Sequence, residues 1–327
     1  MRRITARRVG PLGIEALTLF AGVSFLLFGL RLVIEPGAQY AGPADDSQIF
    51  IWSLAWWPHA LLHGQNPFLT NAIWAPSGLD LAWTTSVPGL ALALAPVTLL
   101  AGPVAAFNVA AVAMPALAAW TAFLLCRRLT AQIWPSLAGG YLFGFSTYLL
   151  GQQVGGHVHM TAVFLVPLVA LVLFDFVDSD RGGSWLVFRL GPLLAFQLLL
   201  STEVAFGLAL AVGSALILGL LLAPARRARL RSAILPLVES AAVACVLTAP
   251  FLYYLVDDFR SATFNRSEAY VADLLNYVVP THRPGRRRRG ALSLLVAPAL
   301  VPVGMKPVLD RSQAGTSALI QKRLRNA

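Results

Sequence analysis

The chain has 327 residues, of which 57% are hydrophobic and 12% charged, with a mean hydropathy of +0.69. No soluble core uses that much apolar sequence, so the composition places it among multi-spanning helical membrane proteins. Its net charge of +10 is carried almost wholly by Arg in short clusters between apolar runs, which reads as membrane topology and excludes the broad basic face of a nucleic-acid binder.

The chain starts MRRITARRVGPLG and enters an apolar run over 14–34. That run is too long for a signal peptide and lacks a small-x-small cleavage site, so a retained signal anchor is expected. Further windows long enough to span a bilayer lie at 104–126, 133–150, 158–177, 186–202, 204–222 and 232–255, which predicts an all-α polytopic protein with seven transmembrane helices. Arg clusters at Arg2, Arg3, Arg7 and Arg8, at Arg127 and Arg128, at Arg181 and Arg189, and at Arg226, Arg227, Arg229 and Arg231 all fall on one side if the amino terminus is cytoplasmic. The opposite side collects Glu35, Asp45, Asp46, Asp80, Glu203, Asp257, Asp258, Glu268 and Asp273. A multi-pass protein of the cell (inner or plasma) membrane with a cytoplasmic amino terminus is expected.

Residues 32–126 contain no Lys or Arg, and 35–103 reads as one large outer loop. Within it, SQIFIWSLAWWPHALLHG predicts a juxtamembrane helix whose Trp52, Trp56, Trp57 and His59 suit the headgroup zone. The apolar segment 86–103 is short and carries Pro88 and Pro96. Counting it as a span would invert every later loop, so it is expected as a re-entrant or interfacial helix packed on protein. From about residue 281 the character changes to THRPGRRRRG, a Pro-rich apolar piece at 291–304, and a polar tail holding both lysines, Lys306 and Lys322. The chain is therefore divided into a membrane domain over 1–280 and an atypical basic tail over 281–327, the latter expected as a truncated or frame-shifted end or as a short extra span.

Candidate chemistry centres on the acidic pair Asp45-Asp46, which opens a polar, Trp-rich loop after the first apolar run. Carboxylates beside a bilayer suit a general base or a ligand, and the competing reading is a helix N-cap before SQIFIW. GQQVGGHVHM sets His157 and His159 beside a Gly-rich turn, with Gln152 and Gln153 as sugar contacts or plain loop residues. A His pair bonded to backbone or headgroup is preferred there over metal ligation. Glu203 sits at an outer turn, where it either faces the same cavity as Asp45 or is a satisfied turn carboxylate. Glu239 lies within a predicted span and is expected to pair or to line a water-filled cavity. Arg260 and Arg266 are the outer-face cations. Cys126 and Cys245 lie in apolar runs and suggest neither a disulfide nor a metal site. The sequence contains no P-loop, dinucleotide fingerprint, zinc spacing or nucleophile elbow, which disfavours soluble nucleotide-sugar chemistry.

The strings ADDSQIFIWSLAWWPHALLHGQNPF, the Pro-containing stretch after AWTTSVPG, the span ending LLCRRLT, and LAGGYLFGFSTYLLGQQVGGH resemble the membrane glycosyltransferases of the GT-C superfamily over about residues 11–280. The resemblance implies a polyprenyl-phosphate sugar as donor, a glycan, lipid or protein acceptor, and a first-loop acidic base that lands on Asp45 or Asp46. His157, His159, Glu203, Arg260 and Arg266 follow as substrate-binding candidates. It leaves the cofactor unspecified, a divalent cation being used by some members. The rival expectations are a transporter or flippase of a lipid-linked or small polar solute, with Glu203 and Glu239 on its pathway, and a catalytically incomplete remnant of the glycosyltransferase family.

Overall fold

The structure, a computed structural model, describes residues 11–34, 40–41, 46–73, 75–76 and 78–257. Those residues form an almost wholly helical unit in which six helices are long and apolar enough to cross a membrane. Asp45, Arg260, Arg266 and the whole 281–327 tail lie outside the described residues.

The first candidate span, Leu12–Ile34, consists of α1 (Pro11–Ser24), a π-helical turn at Phe25–Gly29 and α2 (Leu30–Ile34). The predicted juxtamembrane helix is α3 (Ser47–Leu62). A two-residue hairpin of β1 (Leu69–Thr70) and β2 (Leu79–Asp80) follows. The expectation that 86–103 does not make a simple span holds: Pro88 and Pro96 start two short helices, α4 (Pro88–Ala93) and α5 (Ala95–Ala101). Leu90 and Ala91 of α4 are buried against protein.

The longest helix, α6 (Pro103–Thr130), starts behind Gly102 with Pro at its first position, where the missing amide costs no hydrogen bond. The segment predicted as a continuous span at 133–150 is instead two helices, α7 (Ile133–Gly144) and α8 (Thr147–Val154), and so does not count among the six. The break has a local cause: Ser146 leaves the helical region (ψ 157°) and its hydroxyl caps α8 by accepting from Leu149 N–H. Glycines at 140 and 144 then let α7 lie directly on α6, since a Cβ at either would collide with Ala119. This small-xxx-small approach packs helices by contact rather than by water exclusion.

The remaining helices are α9 (Val158–Thr161), α10 (Leu165–Val177), α11 (Gly183–Leu200), α12 (Thr202–Leu222), α13 (Arg227–Leu247) and α14 (Ala249–Asp257). α13 buries Ala233, Pro236, Ser240 and Ala244, a stripe of helical period, and α11 meets it closely at Gly191, next to Val243 and the Ser240 carbonyl. α12 buries only Leu208 although it is apolar all round, and it is long and apolar enough to cross a membrane.

The ends of the bundle differ in chemistry. At one end Arg128 bonds Asp175 (Nε to Oδ1, 2.7 Å) and Asp178 (Nη2 to Oδ2, 3.1 Å), Arg226 bonds Asp178 at 2.6 Å, and Arg181 pairs with Asp175 at 3.6 Å. Arg229 donates to the carbonyls of Phe176 and Arg181. Four of the Arg residues expected on one side are thus gathered there and tie α6, α10 and α13 together. Glu239 sits beside the buried Ser240, one residue off the packed stripe of α13, and is exposed.

Candidate functional site

The opposite end holds the candidate site, built from the start of α3 and the Gly-rich turn between α8 and α9. Asp46 occupies the N-cap of α3, yet its side chain makes no capping hydrogen bond. It turns instead to His157, whose Nε2 lies 2.7 Å from Asp46 Oδ2. An ionised carboxylate only accepts, so this ring nitrogen carries the proton. The other ring nitrogen, Nδ1, lies 2.7 Å from Gln152 Oε1; with the proton on Nε2 it accepts, so the Gln152 amide turned over presents its NH2 there as the donor that steadies the imidazole from behind. The Asp46 side chain is 55% exposed, which leaves its second oxygen open to solvent and to a ligand. The free amides at the start of a 16-residue helix add a favourable field for negative charge at this spot.

The turn that delivers His157 depends on Gly156. Its φ of +76° is in the left-handed region, and a Cβ there would collide with the Ser47 hydroxyl. The turn thus lies directly against the first residue of α3. Gln153, one turn back, is buried and fixes α8 to α6 by donating from Nε2 to the Ala111 carbonyl at 2.8 Å.

His159, two residues on, faces a different way. Its ring stacks on Phe50 at 5.0 Å with 25° between planes, and its Nε2 is 4.0 Å from Glu203 Oε1. The two imidazoles meet edge to face, 6.0 Å apart. Glu203 stands in the first turn of α12, where the Ser201 and Thr202 hydroxyls donate to its Oε2 at 3.1 Å and 3.2 Å. Tyr148 of α8 is close enough that its phenol, partly desolvated and facing the Glu203 charge, titrates above its ordinary value. Among the described residues the His159 Nδ1 and Ser47 hydroxyl are buried without a hydrogen-bond partner.

Four expected residues are therefore brought together as two carboxylate–imidazole pairs: Asp46 with His157, and Glu203 with His159. The N-cap reading of the acidic pair fails for Asp46, whose carboxylate is aimed away from the helix amides. Among the described residues no group of three or more His, Cys, Asp or Glu side chains converges as a metal site. Sequence reasoning missed Phe50, Ser47 and Tyr148. The first two sit three residues apart on one face of α3, and that spacing was the available signal.

The chain belongs to the family described as a domain of unknown function (DUF6311), whose model matches residues 17–296. No curated protein and no solved structure matches the chain.

Proposed function

We propose that this DUF6311 member is an inner- or plasma-membrane glycosyltransferase that moves a sugar from a polyprenyl-phosphate donor to an acceptor hydroxyl on the non-cytoplasmic face. The observation that carries the reading is the Asp46 carboxylate, which occupies a capping position without capping and is held by His157 at 2.7 Å. A carboxylate turned from its structural task toward an imidazole, with one oxygen open, is arranged for proton transfer.

In the proposed step the acceptor oxygen bonds to the anomeric carbon of the donor sugar. Its proton passes to the open oxygen of Asp46, and the bond from anomeric carbon to phosphate oxygen breaks with its electron pair leaving on the lipid phosphate. His157 positions the base by donating to Oδ2, and Gln152 positions His157. The departing phosphate stays at headgroup level because its polyprenyl chain remains in the bilayer. Arg260 and Arg266 are the proposed cations for it. The Arg-rich end of the bundle, with Arg128, Arg181, Arg226 and Arg229, would then face the cytoplasm, as the positive-inside rule requires.

The test is transfer of labelled sugar from polyprenyl-phosphate donors by purified protein in liposomes, comparing the native chain with Asp46→Asn. The native chain transfers and the variant loses about two orders of magnitude or more. Equal transfer by a folded Asp46→Asn protein refutes the assignment.

A further inference from the structure

We propose that His59 and His63, one helical turn apart at the end of α3, form a two-imidazole chelate for a divalent late transition metal, with Cu2+ bound tightest and Ni2+ and Zn2+ after it. The site is separate from the Asp46–His157 pair, since the helix rises about 20 Å between Asp46 and His59, and it stands or falls independently of the transferase reading.

The two rings lie 4.1 Å apart, centroid to centroid, with 32° between their planes. His63 Nδ1 is 2.8 Å from the His59 carbonyl oxygen. A carbonyl only accepts, so Nδ1 carries the proton and the neutral ring presents its lone pair at Nε2. Metal-bound histidines are arranged in this way: the nitrogen away from the ion donates to a carbonyl or carboxylate, which fixes both the tautomer and the ring orientation. Among the described residues neither His63 Nε2 nor a ring nitrogen of His59 has a hydrogen-bond partner. Two imidazole nitrogens sharing one ion at about 2.0–2.1 Å stand about 3 Å apart, a separation that touching rings one turn apart reach by side-chain rotation alone.

The backbone holds the pair in register. Gly64 takes a left-handed φ of +63°, its N–H donates to the Leu61 carbonyl at 3.3 Å, and Gln65 N–H donates to the Ala60 carbonyl at 2.8 Å. This closing motif ends the helix at His63. On the other side His59 is backed by Trp56, 6.1 Å away, whose indole donates to the Pro67 carbonyl at 3.0 Å. Both histidines are exposed, so packing does not demand them and a hydrated ion reaches them. The end of a 16-residue helix adds the negative field of its last carbonyls, which favours a cation. Among the described residues no third His, Cys, Asp or Glu joins the pair, so water completes the coordination. Two neighbouring imidazoles with water suit the tetragonal preference of Cu2+ and Ni2+, the order of affinity rises to Cu2+, and hard ions such as Mg2+ are poorly served by nitrogen ligands.

The experiment is isothermal titration of tag-free full chain in detergent with CuCl2, NiCl2, ZnCl2 and MgCl2, with electron paramagnetic resonance of the Cu2+ sample. One Cu2+ binds per chain with coupling to two ring nitrogens, Ni2+ binds more weakly, and Mg2+ does not bind. His63→Ala weakens Ni2+ binding about tenfold or more, because a chelate loses its second, effectively intramolecular ligand. Leu61→His combined with His63→Ala keeps the number of histidines but sets them two residues apart, on different faces of the helix; Leu61 is exposed and accepts the change, and this protein also binds about tenfold or more weakly. Asp46→Asn binds as the native chain does. Native affinity in His63→Ala or in the shifted variant overturns the chelate, as does Mg2+ binding with the strength of Ni2+. Loss of the ion in His159→Phe with its retention in His63→Ala overturns it too, by placing the ion at the other His pair.

Discussion

Replacing Gly156 by Ala tests the geometry that brings His157 to Asp46. The residue has φ +76°, and an L side chain in that region costs about 1–2 kcal/mol. The added Cβ would also collide with the Ser47 hydroxyl. Ser47 is fully buried at the head of α3 and cannot swing out, so the turn or the helix must shift, and overpacking of this kind costs about 1–3 kcal/mol more. The sum, about 2–5 kcal/mol, corresponds to a fall in Tm of very roughly 5–15 °C for a unit of this size. Gly151 supplies the control. It lies in α8 at ordinary helical angles with nothing within 4 Å of its would-be Cβ, so Gly151→Ala holds or gains up to about 1 kcal/mol from reduced backbone freedom. Both proteins are compared with the native chain by tryptophan-monitored thermal unfolding in detergent, with sugar transfer read in parallel. A Gly156→Ala protein that melts with the native chain and retains transfer would refute the close contact of turn and helix, and with it the geometry of the site.

Three further outcomes are expected. His157→Leu removes the donor to Asp46 but leaves a carboxylate that water reaches, so transfer falls about tenfold or more while Tm moves by less than the equivalent of about 1 kcal/mol; activity and melting measured on one preparation check this. Arg128→Ala leaves Asp175 and Asp178 facing each other without the guanidinium that bonds both, and urea or thermal unfolding reports a loss of about 1–3 kcal/mol that Lys at the same position does not restore in full. Gly144→Leu drives a side chain into Ala119 of α6 and yields aggregated protein on size exclusion, whereas Gly207→Leu, with open space around it, elutes as the native chain does.

How much was legible from the sequence follows from which interactions are local. The long apolar helices, the helix at 47–62 and the broken segment at 88–101 were all readable, because hydropathy and proline act within a few residues. The division of 133–154 was not: apolar composition continues straight through Phe145, and only the capping hydrogen bond of Ser146 marks the stop. For the site, residue types and their end of the bundle were predictable, pairings were not. His157 and His159 differ by two positions and resemble each other in sequence, yet the turn sends one to Asp46, 111 residues away, and the other to Phe50 and Glu203. Glu239 shows the converse limit. Its place on a long apolar helix was readable, but which face of that helix packs inward is decided by the partner helix α11, whose Gly191 meets the Ser240 side.

The same contrast separates the two ends of the bundle. At the Arg-rich end five charged side chains are matched to one another: Asp178 accepts from Arg128 and Arg226, and Asp175 from Arg128 with Arg181 alongside, while Arg229 spends its donors on two carbonyls. At the other end the bonding is incomplete in a consistent way. Asp46 uses one oxygen and forgoes its cap, Glu203 stands 4.0 Å from His159 rather than at hydrogen-bond distance, and His159 Nδ1 has no partner among the described residues. Buried polar groups without partners are costly, and stabilisation alone would have replaced His159 with an apolar ring against Phe50. A His159→Phe variant therefore separates the two demands: it melts at or above the native temperature because the orphaned nitrogen is gone, and it loses transfer because Glu203 loses the imidazole beside it. A variant that melts lower would show that His159 is there for packing, and the functional reading of the second pair would fall.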